Sequence, residues 1–322
     1  MDCAPYQGMT RNATTIVFIG THIPLDPIDA RLFAHYSADL RRGGTMSEAW
    51  LLLLDESKPE SGHVRDPIQL SEQGAISTCV WTPGKLFGRM PALRTALAAS
   101  PYSLEPDYHM RRYYWLHASL VLWNMTLGHE YPSARFFWRI EPDVCFSGAL
   151  SMLIQRTAAD PADLLLHKYQ SEKKDMAPTL PDGRPKASEE FFSHWPLHAN
   201  STLLRAVPPS RRLRALVSVG RYSTRFLHLL RRHYWNTAVG FEEILLPVAC
   251  AAAAANVRRF GPCTMSALSS GAGVTSHRMA SHFQYRPAFA CTEFRSALAA
   301  QTNELWHPIK ERSCVADYLE SH

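Results

Sequence analysis

The sequence lacks the motifs that mark several large classes of enzyme. It has no G-x-G-x-x-G after its first predicted strand, which excludes a dinucleotide-dependent oxidoreductase of the Rossmann type. It has no G-x-x-x-x-G-K-[ST] loop, which argues against a P-loop kinase or a sulfotransferase of that type. It has no G-x-S-x-G either, which argues against a serine hydrolase. The chemistry of this protein must therefore be sought in other residues.

Long apolar runs and closely spaced cysteines are also missing. No apolar run reaches the length of about 18 residues that a membrane-spanning helix needs. The N-terminal sequence MDCAPYQGMTRNATTIVFIG also has no charged region followed by a long apolar one, so no signal peptide is visible. The seven cysteines include no C-x-x-C pair, which argues against a zinc ribbon or a thioredoxin-type motif. Their odd, dispersed number fits either a reduced protein or a lumenal one with a few disulfides and a free thiol.

The composition is that of an ordinary globular protein. Hydrophobic residues make up 46% and charged residues 20% of the 322 positions, which argues against disorder. The formal net charge of +5 suits an anionic substrate, but it is too small and too scattered to indicate a nucleic-acid-binding protein.

Predicted strands alternate with predicted helices along the chain. The strands are expected at 14–23, 48–57, 135–140 and 162–170, and the helices at 26–44, 113–129, 147–157, 201–220 and 223–235. The stretch 59–88 contains proline and glycine and is interpreted as loops. This alternation predicts a mostly parallel sheet covered by helices on both faces. We expect one domain, 14–322, after a short N-terminal extension, 1–13.

Two carboxylates follow the third predicted strand in the sequence ARFFWRIEPDVCFSG (134–148). Pro142 lies between Glu141 and Asp143, and it ends or bends the strand because it has no N–H to donate to a neighbour. Ligands bind beyond the carboxyl ends of parallel strands, and paired carboxylates suit a hard divalent cation. The alternative is that they are solvated loop acids, or that one of them caps the helix that follows Ser147.

Three segments resemble, in the same order, motifs of the GT-A glycosyltransferases. WRIEPDVCFSGAL (138–150) is similar to the W-x-[IL]-E-x-D-V-x-[FY]-[ST]-G of a group of eukaryotic glycosyltransferase-like proteins. GFEEILLPVAC (240–250) is similar to the G-x-x-E-[VI]-[FL]-[LI]-P of that group, and LWHPIK (305–310) to its L-[YW]-H-P-[VI]-K. The resemblance covers about 138–310, and the N-terminal part agrees only in its β-α-β layout. Many such enzymes carry Asp at the first acidic position, where this chain has Glu141.

The resemblance implies a three-layer, GT-A-like fold and metal-dependent transfer of a sugar from a nucleotide-sugar donor. A divalent cation, Mn²⁺ or Mg²⁺, would offset the charge that grows on the leaving diphosphate. Asp143 is the first choice of metal ligand, and Glu141 contacts the metal through water or the ribose hydroxyls. His307 is a third ligand or a phosphate contact, and Lys310 contacts the same phosphates. The alternatives are an ordinary loop histidine and a solvated surface lysine.

Five further residues are candidates for contacts with the acceptor or the nucleotide. Glu243 is the expected general base toward an acceptor hydroxyl in an inverting mechanism, with Glu242 as the second choice. The alternative is that both simply begin a helix, where acidic residues are favourable. Asp55 after the second strand is expected to contact the nucleotide, unless it is an exposed turn acid. Thr21 and His22 end the first strand and are expected to meet the base.

The resemblance also implies partners and a location. The expected partners are a nucleotide-sugar donor and a glycan or protein acceptor, with no nucleic acid, and with membrane association only through an anchor not visible in this sequence. The Golgi or the secretory-pathway lumen is the expected location, and the cytoplasm is the alternative. The other possible function is that of a catalytically inactive, GT-A-like sugar-binding or scaffolding protein.

Overall fold

The computed structural model of the chain describes residues 1–5, 11–22, 26–55, 77–99, 116–171, 203, 207–235, 240, 242–255, 262–268, 282–283 and 288–321. These residues form eleven strands and nine α-helices. The strands are β1 (Asp2–Ala4), β2 (Thr15–His22), β3 (Ser47–Leu54), β4 (Ser77–Trp81), β5 (Phe136–Ile140), β6 (Cys145–Phe146), β7 (Leu164–Ser171), β8 (Leu213–Ser223), β9 (Met265–Ala267), β10 (His282–Phe283) and β11 (Leu305–His307). The helices are α1 (Pro27–Arg42), α2 (Pro83–Arg89), α3 (Pro91–Ala98), α4 (Ala118–Leu127), α5 (Leu150–Thr157), α6 (Thr224–Trp235), α7 (Glu242–Ala255), α8 (Cys291–Ala299) and α9 (Arg312–Ser321).

A central sheet of eight strands organises the molecule. The strand order is β1-β4-β3-β2-β5-β8-β7-β9. Six of the strands point the same way, and β1 and β8 run against them. The prediction of a mostly parallel sheet is confirmed.

Helices cover both faces of this sheet. On one face α2, α3, α4, α6 and α7 pack against side chains such as Phe18, Trp50 and Phe137. On the other face α1, α5, α8 and α9 pack against side chains such as Val17 and Trp138. Neighbouring residues of one strand, such as Phe137 and Trp138, enter opposite cores because side chains alternate along a strand. The fold is therefore the expected three-layer α/β/α arrangement.

The first helix shows how local sequence sets an element's limits. Asp26 precedes α1, and its carboxylate accepts a hydrogen bond of 2.7 Å from the Ile28 N–H, while Pro27 occupies the first turn. The helix ends at Gly43, and Gly44 follows with φ of +60°, a conformation that glycine adopts without steric cost. This helix returns the chain to the amino edge of the sheet, where β3 begins.

The structure corrects two of the predicted elements. The end of the segment 201–220 was expected to be helical, but Leu213–Ser223 is the strand β8, and nearly all of its residues are buried. The expected loop 59–88 contains β4 and most of α2. β4 and β8 are both buried along nearly their whole length. Their sequences therefore lack the alternation of polar and apolar residues that marks a half-buried strand.

Three disulfides connect cysteines that are distant in the sequence. They are Cys3–Cys79, Cys250–Cys263 and Cys291–Cys314, and Cys145 is a buried free thiol. Cys3 lies directly opposite Cys79 in the antiparallel pairing of β1 with β4. Of the two possibilities left by the cysteine count, the structure has the one with disulfides and a free thiol. No helix in the described ranges is both long enough and apolar enough to cross a membrane.

Candidate functional site

A tight turn at the end of β5 presents Glu141 and Asp143 at the carboxyl edge of the sheet. β5 lies between β2 and β8 at the centre of the sheet. The Glu141 N–H donates to the Ser218 carbonyl at 2.9 Å, which continues the pairing with β8 by one residue. The Val144 N–H then donates to the Glu141 carbonyl at 3.1 Å and closes the turn around Pro142. These hydrogen bonds thus fix the backbone that carries the two carboxylates.

A second, three-stranded sheet brings His307 to the same place. Its order is β10-β11-β6, and β11 runs antiparallel to β6, with Trp306 opposite Cys145. Beyond the strand, the Ile309 N–H donates to the Asp143 carbonyl at 2.9 Å. The peptide bond between His307 and Pro308 is cis. The segment LWHPIK is therefore anchored to the turn that carries Asp143.

Glu141, Asp143 and His307 form a cluster of potential metal ligands. The His307 Nε2 atom lies 3.9 Å from Glu141 Oε2 and 3.8 Å from Asp143 Oδ1, and the three ligand atoms lie within 4.8 Å of one another. The exposed fractions of the side chains are 25%, 12% and 5% for Glu141, Asp143 and His307. Octahedral metal–ligand bonds of about 2.1 Å place neighbouring ligands about 3 Å apart and opposite ligands about 4 Å apart. The cluster thus needs only small side-chain adjustments to hold a cation.

The donor set restricts the kind of metal that the cluster suits. Carboxylate oxygens suit Mg²⁺, Ca²⁺ and Mn²⁺, whereas imidazole suits Zn²⁺, Fe²⁺ and other transition metals, so the mixed set is compatible with Mn²⁺ as well as with Zn²⁺ or Fe²⁺. A second group within the described residues, Cys291, Glu311 and Cys314, also places three potential ligands together. Both of its cysteines form a disulfide, so they offer no thiolate to a metal.

Lys310 contacts the other oxygen of the Asp143 carboxylate. Its Nζ forms an ion pair with Asp143 Oδ2, while Asp143 Oδ1 faces His307. The lysine side chain is 66% exposed, whereas that of Asp143 is 12% exposed. The predicted phosphate ligand thus lies beside the cluster, and most of its side chain is exposed to solvent.

A buried ion pair adjoins the cluster and joins it to helix α7. Arg139, in β5, forms an ion pair with Glu242, the first residue of α7. The Arg139 Nη2 atom lies 3.3 Å from Glu242 Oε1 and 3.4 Å from Glu141 Oε1. The exposed fractions of the Arg139 and Glu242 side chains are 6% and 2%. Arg139 therefore binds a carboxylate of the cluster and the start of a helix at once.

Sequence reasoning missed Arg139, although a signal was present. An arginine inside an apolar strand, two residues before an acid, needs a buried counter-charge, because an unpaired charge in an interior is costly. His117 also adjoins this pair, with its Nδ1 atom 3.7 Å from Glu242 Oε2. Burial, and then the Arg139 charge, lowers the pKa of His117 to about 3, so this imidazole is neutral at neutral pH.

The two glutamates at the start of α7 differ in what faces them. Burial and the Glu141 charge act to raise the pKa of Glu242, but the Arg139 guanidinium contacts both of its oxygens and holds it as a carboxylate. Burial raises the pKa of Glu243 well above its ordinary value, and the charges of Glu242 and Glu141 raise it further. Arg214 opposes that shift. Glu243 directly follows Glu242, which pairs with Arg139 beside Glu141, so the start of α7 lies next to the cluster.

The remaining predicted residues lie at the same edge of the sheet. Asp55 directly follows β3 and is 1% exposed, so the alternative of an exposed turn acid is wrong. Its N–H donates to the Trp81 carbonyl at 2.9 Å. Thr21 and His22 end β2, and their side chains lie outside the described part of the structure. The carboxyl ends of β2, β3 and β5 meet at one edge because these strands are parallel.

Comparisons with known proteins give structural similarities only. No protein-family model matches the sequence, and the comparison with curated proteins gave no match. Core-mannan synthase A from Aspergillus fumigatus, in its Mn/GDP form, is 11% identical, with 82% of this chain and 75% of that one covered and a TM-score of 0.37. A glycosyltransferase involved in glycosylation of the major capsid of the virus PBCV-1 is 11% identical, with 96% and 99% covered and a TM-score of 0.35. Mouse xyloside xylosyltransferase 1, in its apo form, is 9% identical, with 90% and 96% covered and a TM-score of 0.42. At these values the similarities assign neither a family nor an activity to the chain.

Proposed function

We propose that this protein is a metal-dependent glycosyltransferase of the GT-A type. It would transfer a sugar from a nucleotide-sugar donor to a hydroxyl group of a glycan or protein acceptor. One observation carries the proposal: the three segments that resemble glycosyltransferase motifs, far apart in sequence, meet at the carboxyl edge of one sheet. Asp143 and Glu141 come from the first segment and His307 from the third, and the second segment begins α7, where Glu242 pairs with Arg139 beside Glu141. Such an edge is where open α/β sheets bind their ligands.

The cluster suits the donor half of the reaction. Asp143, Glu141 and His307 would hold a divalent cation, Mn²⁺ or Mg²⁺, which supplies electrostatic stabilisation of the diphosphate leaving group when bound. Lys310 would contribute a further positive charge toward the phosphates. We place the nucleotide at the neighbouring strand ends, with Asp55, Thr21 and His22 as its contacts.

Glu243 suits the acceptor half of the reaction in an inverting mechanism. Its carboxylate would take the proton from the acceptor hydroxyl as the oxygen attacks the anomeric carbon. The bond from that carbon to the phosphate oxygen breaks, and its electron pair goes to the diphosphate. A raised pKa favours this role, because a general base works best when its pKa lies near the working pH. Glu242 is occupied by Arg139, so we assign it to positioning rather than to proton transfer.

The disulfides support a location in an oxidising compartment. Disulfides persist in secreted and lumenal proteins and are rare in the cytosol. The three pairs in the described residues therefore favour the secretory-pathway lumen, including the Golgi, over the cytoplasm.

The direct test is a panel of nucleotide sugars, screened by thermal shift with and without Mn²⁺. A ligand that binds only the native state stabilises it by about 2.7 kcal/mol at a hundredfold excess over its Kd. We expect one donor to raise the melting temperature only when Mn²⁺ is present, and Asp143→Asn to abolish that shift. The donor found in this way is then assayed for transfer and for hydrolysis. Binding without turnover would instead indicate an inactive sugar-binding or scaffolding protein.

A further inference from the structure

We propose that Lys310 competes with the divalent cation for Asp143 and so couples cation binding to the binding of the anionic ligand. This inference rests on the proposed metal site. It goes beyond that site because it assigns the lysine two alternative partners.

The geometry places both positive charges on one carboxylate. Lys310 Nζ pairs with Asp143 Oδ2, and the cluster that suits a cation includes Asp143 Oδ1, 3.8 Å from His307 Nε2. An ammonium group and a divalent cation on the two oxygens of one carboxylate repel each other at short range. The Lys310 side chain is 66% exposed, whereas Asp143 and His307 are largely buried. The lysine is therefore the partner that can leave at little cost.

The backbone around Lys310 does not have to move for this exchange. Ile309, its neighbour, is fully buried, and its N–H donates to the Asp143 carbonyl at 2.9 Å. The four-carbon stem of Lys310 can rotate from this fixed point, so its ammonium group stays near the cluster after it leaves Asp143. It then becomes a positive charge with no carboxylate to neutralise it, next to a bound cation. That combination attracts a diphosphate.

The consequence is a thermodynamic coupling between two ligands. Cation binding frees the lysine for the anion, and anion binding removes the lysine from competition with the cation. By linkage, each ligand must raise the affinity of the other by the same factor. Without the lysine, the cation binds more tightly alone, and it promotes anion binding less.

The experiment measures Mn²⁺ binding by calorimetry to the full chain without nucleotide. We expect Lys310→Met to bind Mn²⁺ roughly three- to tenfold more tightly than the wild type, because an exposed ion pair is worth up to about fivefold and the repulsion adds to it. Lys310→Arg keeps the charge and therefore the competition, so it should bind Mn²⁺ no more tightly than the wild type. Arg42→Met removes the same charge from the exposed end of α1, at the opposite edge of the sheet, and should also stay close to it.

A second measurement follows UDP and GDP binding as Mn²⁺ is added. The factor by which Mn²⁺ raises nucleotide affinity should be smaller in Lys310→Met than in the wild type. Equal or weaker Mn²⁺ binding by Lys310→Met would overturn the competition while leaving the metal site in place. If the wild type binds Mn²⁺ no more tightly than Asp143→Asn does, both the proposed metal site and the proposed competition are wrong. Melting curves of every variant confirm that the fold is intact.

Discussion

Replacing Glu242 with glutamine separates a positioning role from a catalytic one. In the structure both oxygens of this carboxylate face the Arg139 guanidinium, and the side chain is only 2% exposed. Glutamine has the same shape, but it lacks the charge, and its NH₂ group would point a donor at the arginine donors. Arg139 cannot release its proton, so it would remain charged in a buried place with one partner fewer.

The size of the effect can be worked out from the surroundings of Arg139. Removing one partner of a buried ion pair costs about 3–5 kcal/mol. Glu141 lies 3.4 Å from the same guanidinium and is 25% exposed, so it keeps part of the compensation. We therefore expect a loss near the lower end, about 3 kcal/mol. Since a large domain loses about 2 °C for each kcal/mol, the melting temperature should fall by roughly 6 °C.

Urea unfolding and thermal melting, both without metal, measure this loss. The control is the double variant Arg139→Met/Glu242→Leu, which removes both charges and should be more stable than Glu242→Gln alone. A Glu242→Gln variant within about 1 kcal/mol of the wild type would refute the reasoning. So would a double variant that loses more stability than the single one. Loss of sugar transfer at full stability would indicate instead that Glu242 itself takes part in the reaction.

The remaining predictions concern Asp143 and Glu243. Asp143→Asn should lower transfer by about two to three decades, as expected for about 3–4 kcal/mol of lost electrostatic stabilisation, and its melting temperature should be unchanged. Wild-type transfer that persists in excess chelator, with Asp143→Asn equally active, would contradict it. Glu243→Gln should abolish transfer yet keep the Mn²⁺-dependent thermal shift with the donor, because the proposed base would act on the acceptor and not on the donor; a lost shift would contradict this. Transfer by the wild type should fall as the pH drops through the raised pKa of Glu243, at a higher pH than for an ordinary glutamate. Because of this raised pKa, the Glu243 carboxyl ionises more easily in the unfolded chain than in the folded one. Its ionisation therefore destabilises the fold as the pH rises above the ordinary pKa of 4.5. Glu243→Gln should therefore gain melting temperature over the wild type at neutral pH, with little difference near pH 4, and an equal difference at both pH values would contradict it.

The sequence predicted the elements whose surroundings are local or repetitive. β2, β3 and β5 are apolar runs bounded by turn residues, and α1 has an Asp-Pro start and a Gly-Gly end. The prediction from sequence was wrong at β8, because the spacing of its leucines and valines fits a helix as well as a strand buried on both faces. Such a strand is recognisable only from its neighbours, because tertiary contacts decide its conformation.

The candidate site was predictable in its parts but not in its connections. Glu141 and Asp143 stand at a strand end that the sequence marks, whereas β6 and β11, which bring His307 to them, have only two and three residues. Strands so short carry no periodicity, and their pairing depends on contacts between distant parts of the chain. The pairing of Arg139 with Glu242 is invisible for the same reason, although each residue alone can be noticed.

The Cys291–Cys314 disulfide has a consequence for the local opening of this protein. Its covalent loop spans a sequence separation of 23 residues and encloses β11, so it contains His307. A closed loop of that length removes roughly 3 kcal/mol of chain entropy from the opened state, in the entropic model. The segment that supplies His307 should therefore exchange its amide hydrogens with solvent more slowly when the bridge is intact. Reduction should make this segment open more readily, so the position of His307, and with it the proposed metal site, would depend on the redox conditions around the protein.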